Sequence, residues 1–258
     1  MKKETIFVAG PHAVRAALLN APELCLEIWA SEKNALGRRT SIGDSLEKNA
    51  FDAGLALQIV RKSTLDKLYG SPDHQGIVLR RRAPKKYTVE QVLEGIVDFN
   101  RANLLLVLDR IQDPRNYGAC LRVADSFGAT AVVIPQPRSC PITGVVASAA
   151  SGALDSVKIV EVVNITSAMK KMREAGIWIV GAKEGQPLSL YQATFNSATA
   201  IVVGGEGFGL RRLTQDNCDE LVSIPMAGFV SSLNVSTAAA ICLYEFRRQH
   251  PNEQTQTI

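Results

Sequence analysis

Short apolar runs alternate with amphipathic stretches along most of the chain. The run LLLVL at residues 104–108 is apolar at every position, as expected for a strand buried on both faces of a parallel sheet. Similar runs lie at residues 131–134, 157–162, 177–181, 200–203 and 221–224. Helical patterns cover residues 117–127 and 166–175, and a last helix is predicted over residues 233–249. This alternation predicts an α/β fold with helices on both faces of a parallel sheet.

The first eighty residues carry a second α/β pattern. Strands are predicted at residues 6–9, 25–30, 55–60 and 76–79, with helices at residues 12–20 and 42–53. The charged stretch that follows contains Pro84 and predicts a linker, and Thr88 with Gln91 forms a capping-box start for the next helix. We therefore divide the chain into a small α/β domain (1–79), a basic linker and connecting helix (80–102), a larger α/β domain (103–250) and a flexible tail (251–258).

Composition narrows the class of protein. The 258 residues include 29 Lys and Arg against 25 Asp and Glu, and this net charge of +4 permits an anionic partner without requiring one. The five cysteines form no close pair and no two of the three histidines lie within a helical turn, so we expect neither a disulfide framework nor a metal site. No signal peptide pattern and no run of ~20 apolar residues is present. We therefore expect a cytoplasmic protein with no membrane partner.

Polar residues cluster after the first strand of the larger domain. On the predicted helix, Arg115 and Arg122 share one face with small residues between them, and this surface would let a phosphate backbone come close. Asn116 lies beside Arg115 in the sequence. The alternative is an ordinary solvated helix face with Asn116 as a loop cap, because exposed charge is the usual state of a helix surface.

A glycine-rich loop follows the strand at residues 200–203. Its sequence GGEGFG places four glycines around Glu206, so that backbone and ligand can approach closely. The Gly-x-Gly-x-x-Gly fingerprint of dinucleotide enzymes, started at Gly205, would require a glycine where Leu210 stands. The spacing therefore argues against a nicotinamide enzyme and favours a ligand loop over a glycine-rich turn without a ligand.

A third polar cluster opens the last helix. The segment PMAGFVSSLNVS contains Ser232 and Asn234 near the predicted helix N-terminus, where free N–H groups attract an anion such as a carboxylate. Simple capping of the helix is the alternative. Capping needs one such residue, and this segment offers four in six positions.

These three stretches, in this order, resemble the three motifs of the SpoU (TrmH) family of RNA 2′-O-ribose methyltransferases in the SPOUT superfamily. LDRIQDPRNYGACLRVADSFGA is similar to motif 1, IVVGGEGFGLRRL to motif 2 and IPMAGFVSSLNVSTAAAICLYEF to motif 3, which together span about residues 104–248. GPHAVRAAL and DHQGIVL resemble the L30e-like substrate-binding domain of one branch. That branch methylates a guanosine in 23S ribosomal RNA, whereas the shorter tRNA-modifying branch lacks this domain.

The resemblance implies a C-terminal deep trefoil knot, a homodimer, and S-adenosylmethionine bound in the knot. The implied substrate is large-subunit ribosomal RNA or its precursor. The residues that match the family's contacts to the methyl donor are Gly204, Ile224, Leu233, Met226 and Gly228. Backbone groups of the loops would hold adenine, with Ile224 and Leu233 as apolar walls.

The residues that match the family's polar catalytic set are Asn116, Arg122, Glu206, Ser232 and Asn234. Arg122 occupies the position proposed in the family to draw the proton from the ribose 2′-OH. Because the pKa of arginine exceeds about 12, we expect Arg122 to orient the 2′-OH and an adjacent phosphate instead. Glu206 is expected to hold Arg122 or Asn116 by a charge-assisted hydrogen bond. No metal is needed, because the sulfonium is already a good leaving group.

RNA contacts are expected from Arg80, Arg81, Arg82 and Arg115, since arginine can bind a phosphate through two hydrogen bonds. Two other functions remain open: a tRNA guanosine 2′-O-methyltransferase, and an RNA-binding protein of the same fold that has lost catalysis. The N-terminal domain argues against the first, and the intact polar set argues against the second.

Two aromatic residues depart from the family pattern. Phe208 lies in the motif 2 loop, and Phe229 stands in motif 3 where a small or polar residue is usual. Each would reshape the pocket for the cofactor or RNA, or offer a base a stacking surface.

Overall fold

The computed structural model describes residues 4–32, 41–96, 98–99, 101–136, 140–205, 207, 209–230 and 232–251, with backbone only for residues 41–45. The strands are β1 (Thr5–Ala9), β2 (Cys25–Ser31), β3 (Leu57–Val60), β4 (Ile77–Arg82), β5 (Lys86–Tyr87), β6 (Asn103–Asp109), β7 (Ala131–Pro135), β8 (Lys158–Val162), β9 (Trp178–Ala182), β10 (Ala198–Gly204) and β11 (Glu220–Val222). The helices are α1 (Pro11–Asn20), α2 (Ser41–Asp52), α3 (Lys62–Tyr69), α4 (Val89–Glu94), α5 (Pro114–Ser126), α6 (Gly144–Ala150), α7 (Ala153–Ser156), α8 (Ile165–Glu174), α9 (Arg212–Gln215) and α10 (Val235–Gln249).

The chain forms two compact units, and each unit is built from three separate segments of the sequence. Unit 1 comprises Met1–Lys85, Tyr117–Arg122 and Pro141–Ser156. Unit 2 comprises Lys86–Asn116, Val123–Cys140 and Val157–Ile258. Helices α6 and α7, which follow β7 along the chain, therefore belong to the same unit as the N-terminal strands.

Unit 1 is built on a four-stranded sheet in the order β1-β4-β2-β3. Strand β4 is antiparallel to both β1 and β2, and β2 is parallel to β3. Helix α6 is tied to the end of β1, because the Ser148 hydroxyl donates to the Ala9 carbonyl (2.9 Å) and accepts from the Ala9 N–H (3.3 Å). Gly144 opens the helix where an added Cβ would overlap the Phe7 carbonyl, so only glycine allows this approach.

Arg81 is the main correction to the sequence prediction in this unit. Strand β4 continues through Arg82, so the linker predicted from residue 80 does not begin there. Arg80 and Arg82 are half-buried on one side of the strand, whereas Arg81 points to the other side and is 1% exposed. Its Nη1 donates to Asp155 Oδ2 of α7 over 2.7 Å, and Nη2 donates to Oδ1. A buried cation needs such a partner, and only the tertiary structure supplies it.

Unit 2 is built on a seven-stranded parallel sheet in the order β11-β9-β10-β6-β7-β8-β5. The central strand β6 is buried from Leu104 to Asp109, which confirms the prediction from its continuous apolar run. Strand β5 falls in the predicted linker. It pairs with β8 at the edge of the sheet, through Lys86 and Tyr87.

The predicted helix signals of unit 2 are mostly confirmed. Thr88 and Gln91 form the predicted capping box at the start of α4, although the helix ends at Glu94 rather than near residue 99. Helix α10 begins at Val235, two residues later than predicted, and ends at Gln249 as predicted. Its buried stripe includes Val235, Ala239, Cys242 and Phe246. None of the helices in the described part of the chain is long and apolar enough to span a bilayer.

Candidate active site

A cavity of about 610 Å³ lies beyond the carboxyl ends of β9 and β10 in unit 2. This is the edge at which parallel α/β sheets bind ligands, and the volume is in the range of small-molecule sites. Its lining mixes apolar side chains, glycine backbone and a few polar groups. The lining residues are Ala182, Lys183, Glu184, Val203, Gly204, Gly205, Gly207, Gly209, Leu210, Gln215, Ile224, Met226, Ser232, Leu233, Val235 and Ala238.

The glycine-rich loop forms a tight turn on this cavity. Gly204 is in register with Asp109 of β6, and the Gly205 N–H donates to the Asp109 carbonyl over 2.9 Å. The Gly209 N–H then donates to the Gly205 carbonyl over 3.0 Å, which closes the turn. A Cβ added to Gly205 would lie 2.5 Å from the carbonyl oxygen of Arg110. The backbone is therefore packed too closely for a side chain at this position.

We expect Gly205→Ala to lower the free energy of unfolding by about 1–3 kcal/mol, because the added methyl must displace the Arg110 backbone. Gly228→Ala is the matched control. Gly228 has no neighbouring atom within 4 Å of an added Cβ and no positive φ, so its substitution should change stability by less than about 0.5 kcal/mol. Urea unfolding measures both values. Equal stability of the two variants would show that the loop relaxes around the methyl group.

Asp109 anchors the segment after the glycine loop. Its carboxylate is fully buried, accepts from Thr214 Oγ1 (2.7 Å) and from the Arg211 N–H (3.2 Å), and pairs with the Arg211 guanidinium (2.7 Å). These contacts fix the start of α9. In turn, Gln215 Nε2 donates to the Leu210 carbonyl over 2.6 Å. The carboxylate thus anchors the segment that carries two residues of the cavity wall, Leu210 and Gln215.

Motifs 1 and 3 meet at a pair of asparagines. Asn234 is the N-cap of α10, where its Oδ1 accepts from the Ser236 N–H over 2.9 Å. Its Nδ2 donates to Asn116 Oδ1 over 2.9 Å. Asn116 lies in the first turn of α5, which is capped by Asp113 through the Arg115 N–H (2.6 Å). Capping and the inter-motif hydrogen bond therefore use different atoms of Asn234.

The structure brings five predicted residues together on the cavity: Gly204, Ile224, Met226, Ser232 and Leu233. Gly228 is exposed and lies outside the cavity lining. Arg122 is exposed on α5 in unit 1, and Arg115 is exposed at the start of that helix in unit 2. The predictions for Glu206 and Phe208 concern residues outside the described part of the chain.

Sequence reasoning missed the wall of the cavity that comes from β9 and α9. Lys183 and Glu184 follow β9, and Lys183 Nζ donates to Gln215 Oε1 over 2.8 Å. These residues belong to none of the three motifs. The available signal was topological: β9 lies beside β10 in the sheet, so its carboxyl end reaches the glycine loop. Within the described residues, no group of three or more His, Cys, Asp or Glu side chains could hold a metal ion.

Two family models match the chain. Residues 103–244 match the SpoU rRNA Methylase family, and residues 7–87 match the domain described as RNA 2′-O ribose methyltransferase substrate binding. The chain is also similar to the 23S rRNA (guanosine-2′-O-)-methyltransferase RlmB of Vibrio vulnificus, with 43% identity over 94% of this chain and 96% of the relative. The RlmB protein of Shewanella oneidensis is 41% identical over 96% of this chain and 99% of its own.

Solved structures give the same result. A crystal structure of an RNA 2′-O ribose methyltransferase matches with a TM-score of 0.76 and 25% identity, over 96% of this chain and 89% of its own. The SpoU methyltransferase AviRb from Streptomyces viridochromogenes, in complex with the cofactor AdoMet, shares the fold with a TM-score of 0.74 at 23% identity, over 95% of this chain and 90% of its own. Since one model covers more than half of the residues and relatives above 40% identity cover nearly all of them, the chain belongs to the SpoU rRNA methylase family.

Proposed function

We propose that this protein transfers a methyl group from S-adenosylmethionine to the ribose 2′-OH of a guanosine in 23S ribosomal RNA. The observation that carries the proposal is the cavity, on which residues of motifs 2 and 3 converge. The similarity to the RlmB proteins along almost the whole chain supports the choice of substrate.

The cavity residues fit a bound S-adenosylmethionine. Gly204 and Gly205 present backbone without side chains, so a flat adenine can lie against the loop. Ile224 and Leu233 supply apolar walls, and Met226 extends the apolar surface toward the exposed loop after β11. When bound, the sulfonium would supply an activated methyl group. Gly228 does not line the cavity, so we assign it to the shape of the loop rather than to a direct contact.

The chain's own polar residues would position the ribose. Arg122 would orient the 2′-OH and a neighbouring phosphate through its guanidinium. Asn116 would be held by its hydrogen bond from Asn234, and Ser232 offers a hydroxyl at the cavity wall. Glu206 would restrain Arg122 or Asn116 by a charge-assisted hydrogen bond. The rate gain in this scheme comes from orientation and electrostatics.

Positive side chains would bind the RNA backbone. We retain Arg82 and Arg115, and also Arg80, whose Nε pairs with Glu27 over 2.8 Å, as phosphate contacts, because these residues are half-buried or exposed. We do not retain Arg81, because its guanidinium is buried against Asp155. The proposal includes the remaining family features: a trefoil knot in domain 103–250, a homodimer and a cytoplasmic location.

Methyl transfer can be tested directly with labelled S-adenosylmethionine. We expect label to enter one guanosine of unmodified 23S ribosomal RNA, as a 2′-O-methyl group found by mapping, and not to enter bulk tRNA. Label in tRNA alone would keep the reaction and overturn the substrate. No label in naked 23S RNA, in tRNA or in a ribosomal precursor particle, with S-adenosylmethionine still bound, would favour an RNA-binding protein without catalysis.

A further inference from the structure

Glu184 occupies a position on the cavity that no motif of the family explains. It follows β9 two residues after Ala182, and Ala182, Lys183 and Glu184 all line the cavity. The backbone is fixed here, since the Lys183 N–H donates to the Val222 carbonyl over 2.9 Å. Glu184 lies in the turn that begins directly after this hydrogen-bonded position.

Lys183 and Gln215, which line the same cavity, have hydrogen-bond partners inside the protein, whereas Glu184 has none among the described residues. Lys183 Nζ donates to Gln215, and Gln215 donates to the Leu210 carbonyl, which uses both ends of that amide. Among the residues that the structure describes, no side chain or backbone group forms a hydrogen bond or ion pair with the Glu184 carboxylate. An exposed carboxylate on the wall of a small-molecule site is an acceptor available to a donor on the ligand.

We infer that Glu184 binds a hydrogen-bond donor of S-adenosylmethionine and thereby selects the adenosyl ligand. This inference rests on the proposed function. The molecule offers two kinds of donor, the pair of ribose hydroxyls and the α-ammonium group. In other α/β sheets a carboxylate near a strand end accepts from a nucleotide ribose, which gives the first source a physical precedent. The glycine loop and the apolar walls cannot make such a contact, so the charged acceptor adds recognition that they lack.

Calorimetry of Glu184→Gln tests the inference. The substitution keeps the size of the side chain and removes the charge. We expect the affinity for S-adenosylmethionine and S-adenosylhomocysteine to fall about 10-fold or more. In the methylation assay, KM for S-adenosylmethionine should rise while kcat at saturation stays close to that of the unmodified protein. Glu174→Gln, an exposed carboxylate on α8 outside the cavity, is the matched control and should bind both ligands normally.

A truncated ligand separates the two donors. 5′-Methylthioadenosine keeps the ribose and lacks the amino acid. If Glu184 binds the ribose, Glu184→Gln should weaken this ligand as much as S-adenosylhomocysteine; if it binds the ammonium, only S-adenosylhomocysteine should weaken. Affinities within twofold of the unmodified protein for all three ligands would overturn the inference while leaving the proposed function intact. Failure of the unmodified protein to bind S-adenosylmethionine would overturn both.

Discussion

Arg122→Ala is expected to lower the rate of 2′-O-methylation at least about 100-fold, while the affinity for S-adenosylmethionine stays unchanged. Removal of one donor that stabilises developing charge costs about 10²–10³ in rate in other enzymes. Arg122 is the cation of the motif 1 helix that matches the family's catalytic position, and its side chain is exposed on α5. The cofactor cavity is lined by other residues, so the loss should fall on the chemical step.

Single-turnover rates at saturating RNA and cofactor measure this effect. Asp125→Ala is a suitable control, since Asp125 is exposed on the same helix and has no assigned role. Arg122→Lys keeps the charge and changes the geometry of the donors. A rate close to that of the unmodified protein would mean that positive charge suffices, and a low rate would mean that the guanidinium is needed for its two parallel hydrogen bonds. A rate for Arg122→Ala within threefold of the unmodified protein would remove Arg122 from the catalytic set.

Asp155→Ala is expected to destabilise unit 1 by about 3–5 kcal/mol, because it leaves the Arg81 guanidinium buried without a counter-charge. Both side chains of this pair are only 2% exposed, so water cannot replace the lost carboxylate. The paired charges span β4 and α7, which are more than seventy residues apart in the sequence. The substitution therefore weakens the contact between β4 and α7.

Chemical unfolding followed by far-UV circular dichroism gives the free energy for this test. The ion pair Lys170–Glu174 on the surface of α8 provides the control, and Glu174→Ala should cost less than about 1 kcal/mol. The double variant Arg81→Met with Asp155→Leu should recover most of the stability, because an apolar pair of similar size needs no counter-charge. A loss below 1 kcal/mol in Asp155→Ala would mean that the guanidinium finds water or another partner.

The sequence predicted the parallel sheet well and the charged end of β4 poorly. Continuous apolar runs such as that of β6 have one main interpretation, because both faces of the strand must be covered. For Arg81, in contrast, the local sequence gives the wrong prediction. A run of three arginines predicts solvent exposure, and its strand character depends on Asp155, which no local pattern connects to it. The two-residue strand β5 is likewise too short to leave a periodic signal.

The site likewise contains residues that the sequence predicted and residues that it missed. Gly204, Ile224 and Leu233 were found because the resemblance to the family's motifs assigns them to the methyl donor, and they meet on the cavity. Lys183 and Glu184 were missed because a Lys-Glu pair is ordinary in any sequence. Their position gains meaning only from the order of β9 and β10 in the sheet. Residue type therefore identified the motifs, and topology was needed to complete the wall around them.

Helix α6 has a consequence for how this protein can change over evolution. It lies inside the match to the methylase family, yet it packs in unit 1, where Val146, Ala147 and Ala150 are buried and Ser148 bonds to β1. An exchange that gave the N-terminal domain of one relative to the catalytic domain of another would place these contacts against a foreign surface. The two sequence modules are thus expected to be inherited and to diverge as one physical unit.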